Sequence, residues 1–132
     1  MRYLGIDYGT KRIGIALSDQ GGRVAFPKKV IANRGGERAV TEIKTIIERE
    51  KVSEIVVGLP VSLDGRETEI MKEARHFAEI LQQGLSIPVH LENEMLTTHM
   101  AKRDGIKKEH IDEAAAALIL QAYLDKQNRA ER

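Results

Sequence analysis

The stretch Leu4-Gly5-Ile6-Asp7-Tyr8-Gly9-Thr10-Lys11-Arg12-Ile13-Gly14-Ile15-Ala16-Leu17-Ser18-Asp19 decides how the rest of the chain is read. Tyr3 to Ile6 is a short apolar run and Ile13 to Leu17 is another. The polar segment between them, with Gly9 inside it, makes the pair a β-hairpin with a longer connection. Side chains alternate along a strand, so Leu4 and Ile6 share one face while Tyr3, Gly5 and Asp7 share the other. Asp7 then stands at a strand end, flanked by Gly5 and Gly9, residues that admit a ligand or another stretch of backbone. A turn alone also accounts for Asp-x-Gly, because Asp bonds its own backbone two residues on. What favours chemistry at Asp7 is its company, Thr10, Lys11 and Arg12.

Outward from the hairpin, Gly21-Gly22 marks a turn. Val24 to Ala32 reads as a third strand, in which Pro27 points to an edge position or a bulge. Asn33-Arg34-Gly35-Gly36 is a second break. Ala39, Val40, Ile43, Ile46 and Ile47 then recur at helical spacing, predicting an amphipathic helix over 37–50. Glu54-Ile55-Val56-Val57-Gly58-Leu59 is almost wholly apolar, as a strand buried on both faces requires. Pro60 ends it, and 61–67 is a loop with an Asp64-Gly65 turn. Ile70, Met71, Ala74, Phe77, Ala78 and Leu81 form the core stripe of a second helix, which Gly84 is placed to terminate. Pro88 to Leu91 is a fifth strand, with Glu94 just past it. A short helix capped by Thr97 or Thr98 is expected next, then a last helix over 109–127 with a frayed tail at 128–132. Strands in a hairpin followed by βαβ units give an α/β fold, a mixed sheet with helices on both faces.

Bulk composition narrows the class. The chain has 132 residues, enough for a single domain with a real core, and residues 1–127 are expected to form it. It is 42% hydrophobic and 31% charged, which fits a soluble globular chain. No apolar run reaches the roughly 18 residues of a membrane span, so no membrane is expected. Cysteine is absent, which removes disulfides and thiolate metal sites and makes the cytoplasm the default location. The net charge of +1 is no footprint of a nucleic-acid binder in bulk. Charge is unevenly placed, though. Arg23, Lys28, Lys29, Arg34 and Arg38 face only Glu37 between 23 and 38, and Lys102, Arg103, Lys107 and Lys108 cluster further on.

Three acids from distant segments can meet. In a sheet of this kind ligands bind at the carboxyl ends of the parallel strands. Asp7 ends the first strand, Glu94 follows the fifth, and Asp112 lies in the first turn of the last helix. Ala115 and Ala116, three and four residues on, let that turn approach the sheet. Such carboxylates bind hard divalent ions, which take oxygen ligands and phosphates. Two such ions about 3.5–4 Å apart activate a water and stabilise the leaving oxygen of a phosphodiester. No Ser–His or Cys nucleophile competes, and the histidines lack metal-site spacing.

Leu4 to Asp19, Gly58-Leu59-Pro60 with Asp64-Gly65, Glu94 to Thr98, Ile111-Asp112 and Ile119 to Asp125 together resemble the YqgF (RuvX) family, bacterial proteins named as pre-16S rRNA nucleases and also called Holliday-junction-resolvase-like. The resemblance covers nearly the whole chain. It implies a ribonuclease-H-like fold, a five-stranded mixed sheet with strand 2 antiparallel to the others. It also implies a nuclease dependent on Mg²⁺ or Mn²⁺, with Asp7, Glu94 and Asp112 as catalytic metal ligands. Asn93 and Met95 stand where the family pattern has a carboxylate and a guanidinium.

On that basis the expected activity is endonucleolytic processing of structured RNA at the 5′ end of pre-16S rRNA. Lys11 and Arg12 would lie near substrate phosphates, and Arg66, Thr97 and Thr98 are further candidates for phosphate contact. Cleavage of branched DNA is the alternative substrate, since 2′-OH contacts cannot be read from sequence. A non-catalytic nucleic-acid-binding module on the same fold is a second class. An ATP-binding protein of the actin–sugar-kinase type is a third, disfavoured because such proteins close two domains around the nucleotide. The sequence leaves monomer and homodimer both open.

Overall fold

The structure is a computed structural model describing residues 1–62, 64–94 and 111–130, Ile111 by its backbone alone. Five strands, β1 (Tyr3–Asp7), β2 (Arg12–Ser18), β3 (Ala25–Ala32), β4 (Glu54–Pro60) and β5 (Val89–Glu94), form one sheet in the order β3-β2-β1-β4-β5. The helices are α1 (Gly36–Glu50), α2 (Glu69–Gly84) and α3 (Ile111–Ala130). β2 is antiparallel to β1 and to β3, whereas β1, β4 and β5 run parallel. The carboxyl ends of β1, β3, β4 and β5 therefore share one edge of the molecule, where β2 begins.

Each face of the sheet is covered differently. Leu4, Ile6, Ile13, Ile15, Ile55 and Val57 pack under α1 and α2, meeting Ala39, Ile43 and Ile46 of the first helix and Phe77, Ala78 and Leu81 of the second. Burying each such Leu, Ile or Phe contributes about 1.5–3 kcal/mol. The opposite face has a thinner core, Ala16 and Val56 against Ala116, Ile119, Leu120 and Leu124 of α3. Glycines let α3 in. A Cβ on Gly5 would lie 2.7 Å from Leu120 Cβ and 3.0 Å from Ala116 O, and one on Gly14 would lie 2.0 Å from Asp112 O. Of the two uses open to Gly5, ligand or backbone, the helix takes the place.

Turn chemistry follows the residues. Asp19 Oδ1 accepts from the backbone N–H of Arg23 (2.8 Å) and of Val24 (3.1 Å), with Gly22 at φ 66° between. Thr68 caps α2, its Oγ1 accepting from Met71 N–H at 3.3 Å. β3 is an edge strand, as Pro27 predicts, and it also carries a bulge. Ile15 pairs with Lys29 and Ala16 with Pro27, so Lys28 is the extra residue.

Two expectations need correction, at Glu94 and at the tail, whereas Gly84 does end α2 as its last residue. The capping residue is Leu85 in extended conformation, and Gly84 is small because Val40 of α1 presses on it, 3.0 Å from where a Cβ would be. Glu94 is inside β5 rather than past it, paired with Pro60, because backbone bonding to β4 extends the strand through a polar sequence. Residues 128–130 continue α3 where a frayed tail was expected, with Asn128 Nδ2 donating to Gly22 O at 3.3 Å. The expected short helix after Thr97 lies outside the described residues.

Candidate active site

Asp7 is the carboxyl-terminal residue of β1, half-buried on the α3 side of the sheet. Its neighbour across β2 is Gly14, the position against which the first turn of α3 packs. That packing brings Asp112 to Asp7. Glu94 reaches the same edge as the last residue of β5, and Val61 N–H donates to its carbonyl at 3.0 Å. The Asp7 carboxyl is pushed up to about 8, first by burial and then by the negative charges of Glu94 and Asp112. Three acids from chain positions up to 105 residues apart therefore act on one another.

One cation already answers them. Arg12 Nε donates to Asp112 Oδ2 at 2.7 Å, from a side chain 66% exposed. The loop carrying Arg12 is fixed by a residue that the sequence reading passed over as a break. Asn33 Nδ2 donates to Gly9 O at 2.8 Å, Asn33 N–H donates to Lys11 O at 2.9 Å, and Asn33 Oδ1 accepts from Gly35 N–H at 3.2 Å. The signal that could have found it is the Asx preference for bonding nearby backbone beside Gly-Gly. Gly14 was missed likewise, although a glycine inside a strand flags close backbone approach.

The other expected contact residues are less centrally placed. Lys11 is exposed at the start of the same edge. Arg66 lies in the loop after β4, paired through Nε with Asp64 Oδ2 at 3.4 Å and 87% exposed. Thr97 and Thr98 lie outside the described residues. A concavity of about 840 Å³ opens at the opposite, amino end of the parallel strands. Two of its polar groups meet, His90 Nε2 lying 2.7 Å from Glu54 Oε1, and the His90 ring stacks on Tyr123 with centroids 5.2 Å apart. Burial, then the charges of Glu54 and Glu92, raise the Tyr123 phenol, so it stays protonated. That cavity has no part in the acid cluster.

The donor set at the acid cluster is all oxygen and short of positive charge, which suits a hard divalent ion. Among the described residues no three acid or imidazole side chains are drawn tightly enough to hold one ion. Asp112 Oδ2 is turned to Arg12 instead.

A mixed five-stranded sheet in this order, with β2 reversed and acids at the carboxyl ends of its parallel strands, is a ribonuclease-H-like domain. Solved structures agree on the fold. Thermus thermophilus RuvC in complex with a Holliday junction superposes with a TM-score of 0.59 at 12% identity, over 97% of this chain and 96% of that one. The fowlpox virus resolvase in complex with Holliday junction DNA gives 0.56 at 10% identity, over 96% and 99%.

Sequence relatives are closer. A protein of Maridesulfovibrio salexigens named "Putative pre-16S rRNA nuclease" is 40% identical over 133 residues, 94% of this chain and 98% of its own. One of Halothermothrix orenii with the same name is 39% identical over 137 residues, 98% of each. The family model "RuvX: Holliday junction resolvase" matches residues 1–126. The chain belongs to the RuvX family.

Proposed function

We propose that this protein is a divalent-metal-dependent endonuclease that hydrolyses phosphodiester bonds in structured RNA, with the 5′ end of pre-16S rRNA as its target. The observation that carries the reading is Asp7, a carboxyl held up to about 8 by burial and by facing Glu94 and Asp112 at the carboxyl ends of the parallel strands. Carboxylates are kept together against their repulsion where a cation is to be bound. The names borne by relatives of nearly full length support the substrate.

Asp7, Glu94 and Asp112 would hold Mg²⁺ or Mn²⁺, and the chemistry such ions supply is charge neutralisation at the attacking and leaving oxygens. The chain's own contribution is positional. β1 and β5 end together, and the Gly14–α3 contact fixes the third acid. Asn33 fixes the loop that presents Lys11 to the phosphates and would present Arg12 once Asp112 releases it. Arg66 stands ready on the neighbouring loop, with Thr97 and Thr98 as further candidates. Activity on ribosomal precursors implies a cytoplasmic location, and no helix among the described residues is long and apolar enough to cross a membrane.

The family description favours a second substrate, the four-way DNA junction. Labelled precursor rRNA fragments and a synthetic junction, each incubated with Mn²⁺, Mg²⁺ or EDTA, separate the two. Metal-dependent cutting of the RNA, lost in Asp7→Asn, is expected. Cutting of the junction alone would move the substrate to DNA. Binding without cutting in any metal would leave a nucleic-acid-binding module.

A further inference from the structure

The cation-rich stretch from Arg23 to Arg38 has no role in the site so far, and the fold gives part of it one. β3 runs parallel to β1, so its carboxyl end delivers Asn33, Arg34 and Gly35 to the edge that holds Asp7. β3 and β1 are separated only by β2. Two inter-strand spacings set Arg34 roughly 10 Å to the side of Asp7, and it lies four residues beyond Val30, the β3 residue level with Asp7. The placement is rigid. Arg34 sits between Asn33, which bonds Gly9 and Lys11, and Gly35, whose N–H bonds back to Asn33 Oδ1. Arg38 follows in the first turn of α1. Lys11, Arg34 and Arg38 are all exposed, and among the described residues none forms an ion pair or side-chain hydrogen bond. Arg12, next to them, is spent on Asp112, and Lys28 lies 3.7 Å from Glu50. Glu37 is the one acid in the stretch.

We infer that Lys11, Arg34 and Arg38 form a phosphate track that leads from the acid cluster over the β3 edge and grips the backbone of a duplex arm flanking the bond to be cut. The inference rests on the nuclease reading and names where the substrate lies in it. One strand of a duplex presents a phosphate about every 3.4 Å, closely enough for each of the three cations to meet one. Contacts of this kind set register and orientation and carry no sequence preference. They serve an RNA stem and a DNA arm alike, because the shared chemistry is the phosphate backbone.

The test uses the double variant Arg34→Ala/Arg38→Ala. Lys44→Ala/Arg49→Ala is the control, removing the same charge from exposed positions further along α1. Affinities for a labelled RNA stem and for a DNA four-way junction are measured in EDTA from 50 to 200 mM salt. With about 0.9 in slope per phosphate contact, losing two contacts should make the variant ~12-fold less sensitive to that fourfold salt increase than the unsubstituted chain. Its binding should also be weaker at 50 mM, while the control follows the unsubstituted chain. Equal slopes, an equal loss in the control, or no salt-dependent binding by the unsubstituted chain would overturn the track. A parallel Mn²⁺ cleavage assay separates the two ideas. Cutting with unchanged slopes removes the track and keeps the nuclease, and changed slopes without cutting do the reverse. A loss confined to the RNA stem or to the junction identifies which nucleic acid lies in the track.

Discussion

Replacing Asp7 by Asn should stabilise the metal-free protein relative to the unsubstituted chain, and increasingly so as pH rises towards about 8. The Asp7 carboxyl is pushed up to about 8 in the folded chain from an ordinary value of 3.8. Below pH 3.8 both states hold the proton, and the preference of the folded state for it is fully present. Between the two values the folded chain keeps a proton that the unfolded chain has lost, so folding stability falls as pH rises, until the preference is gone above about 8. The ceiling is about 1.4 kcal/mol per pH unit, or ~4 kcal/mol from pH 5 to pH 8. Water reaching a half-buried rim carboxylate halves that, leaving ~2 kcal/mol. Asn has the same shape and no charge to lose. Thermal denaturation followed by circular dichroism in EDTA should therefore show Asp7→Asn gaining ~6–10 °C on the unsubstituted chain between pH 5 and pH 8. Charges remote from Asp7 contribute equally in both proteins and cancel in the difference. An Asp7→Asn protein that gains nothing at pH 8 would refute the argument, because the Asp7 charge would then not be disfavoured by burial and by Glu94 and Asp112. Adding Mg²⁺ or Mn²⁺ at pH 8 should raise the melting temperature of the unsubstituted chain and leave the variant's unchanged.

Arg12→Ala should cost less than about 1 kcal/mol in denaturant unfolding, since the pair is exposed, yet tighten divalent-ion binding in calorimetry by freeing the Asp112 carboxylate. Weaker ion binding in that variant would mean the guanidinium supports the site rather than competes for it. Gly14→Ala should lose ~3 kcal/mol or more, because its Cβ would fall 2.0 Å from Asp112 O and backbone must move. Metal-dependent cleavage should fall with it, and a variant as stable and active as its parent would show that α3 does not seat the third acid. Asn33→Ala should cost ~1–2 kcal/mol, and hydrogen exchange should quicken at residues 9–12 while the core strands stay protected.

Much of this was legible because the local signals are strong. The all-apolar Ile55-to-Leu59 run fixes an inner strand, the helical stripes of α1 and α2 name their buried faces, and alternation in β1 places Asp7 with Gly5 on the α3 side. The neighbourhood of Asp7 and Asp112 could be anticipated because Ala115 and Ala116 announce close packing, and both are fully buried. What failed depends on partners distant in the chain. Glu92-Asn93-Glu94 reads as a loop from its polarity, and it is a strand because β4 offers backbone bonds. Gly84 ends its helix as read, but its contact with Val40 of α1 leaves no local trace. Asn33 reads as a break, and its three bonds reach Gly9, Lys11 and Gly35. The engagement of Arg12 with Asp112 spans a hundred residues and leaves no local trace.

That last separation has a consequence for synthesis. β1 and its hairpin are made first, and α3, which supplies Asp112 and covers one whole face of the sheet, is made last. Until α3 has left the ribosome, Gly5 and Gly14 face solvent and Asp7 has only part of its company. A chain still being translated carries an unfinished site, and the acids converge only when α3 seats.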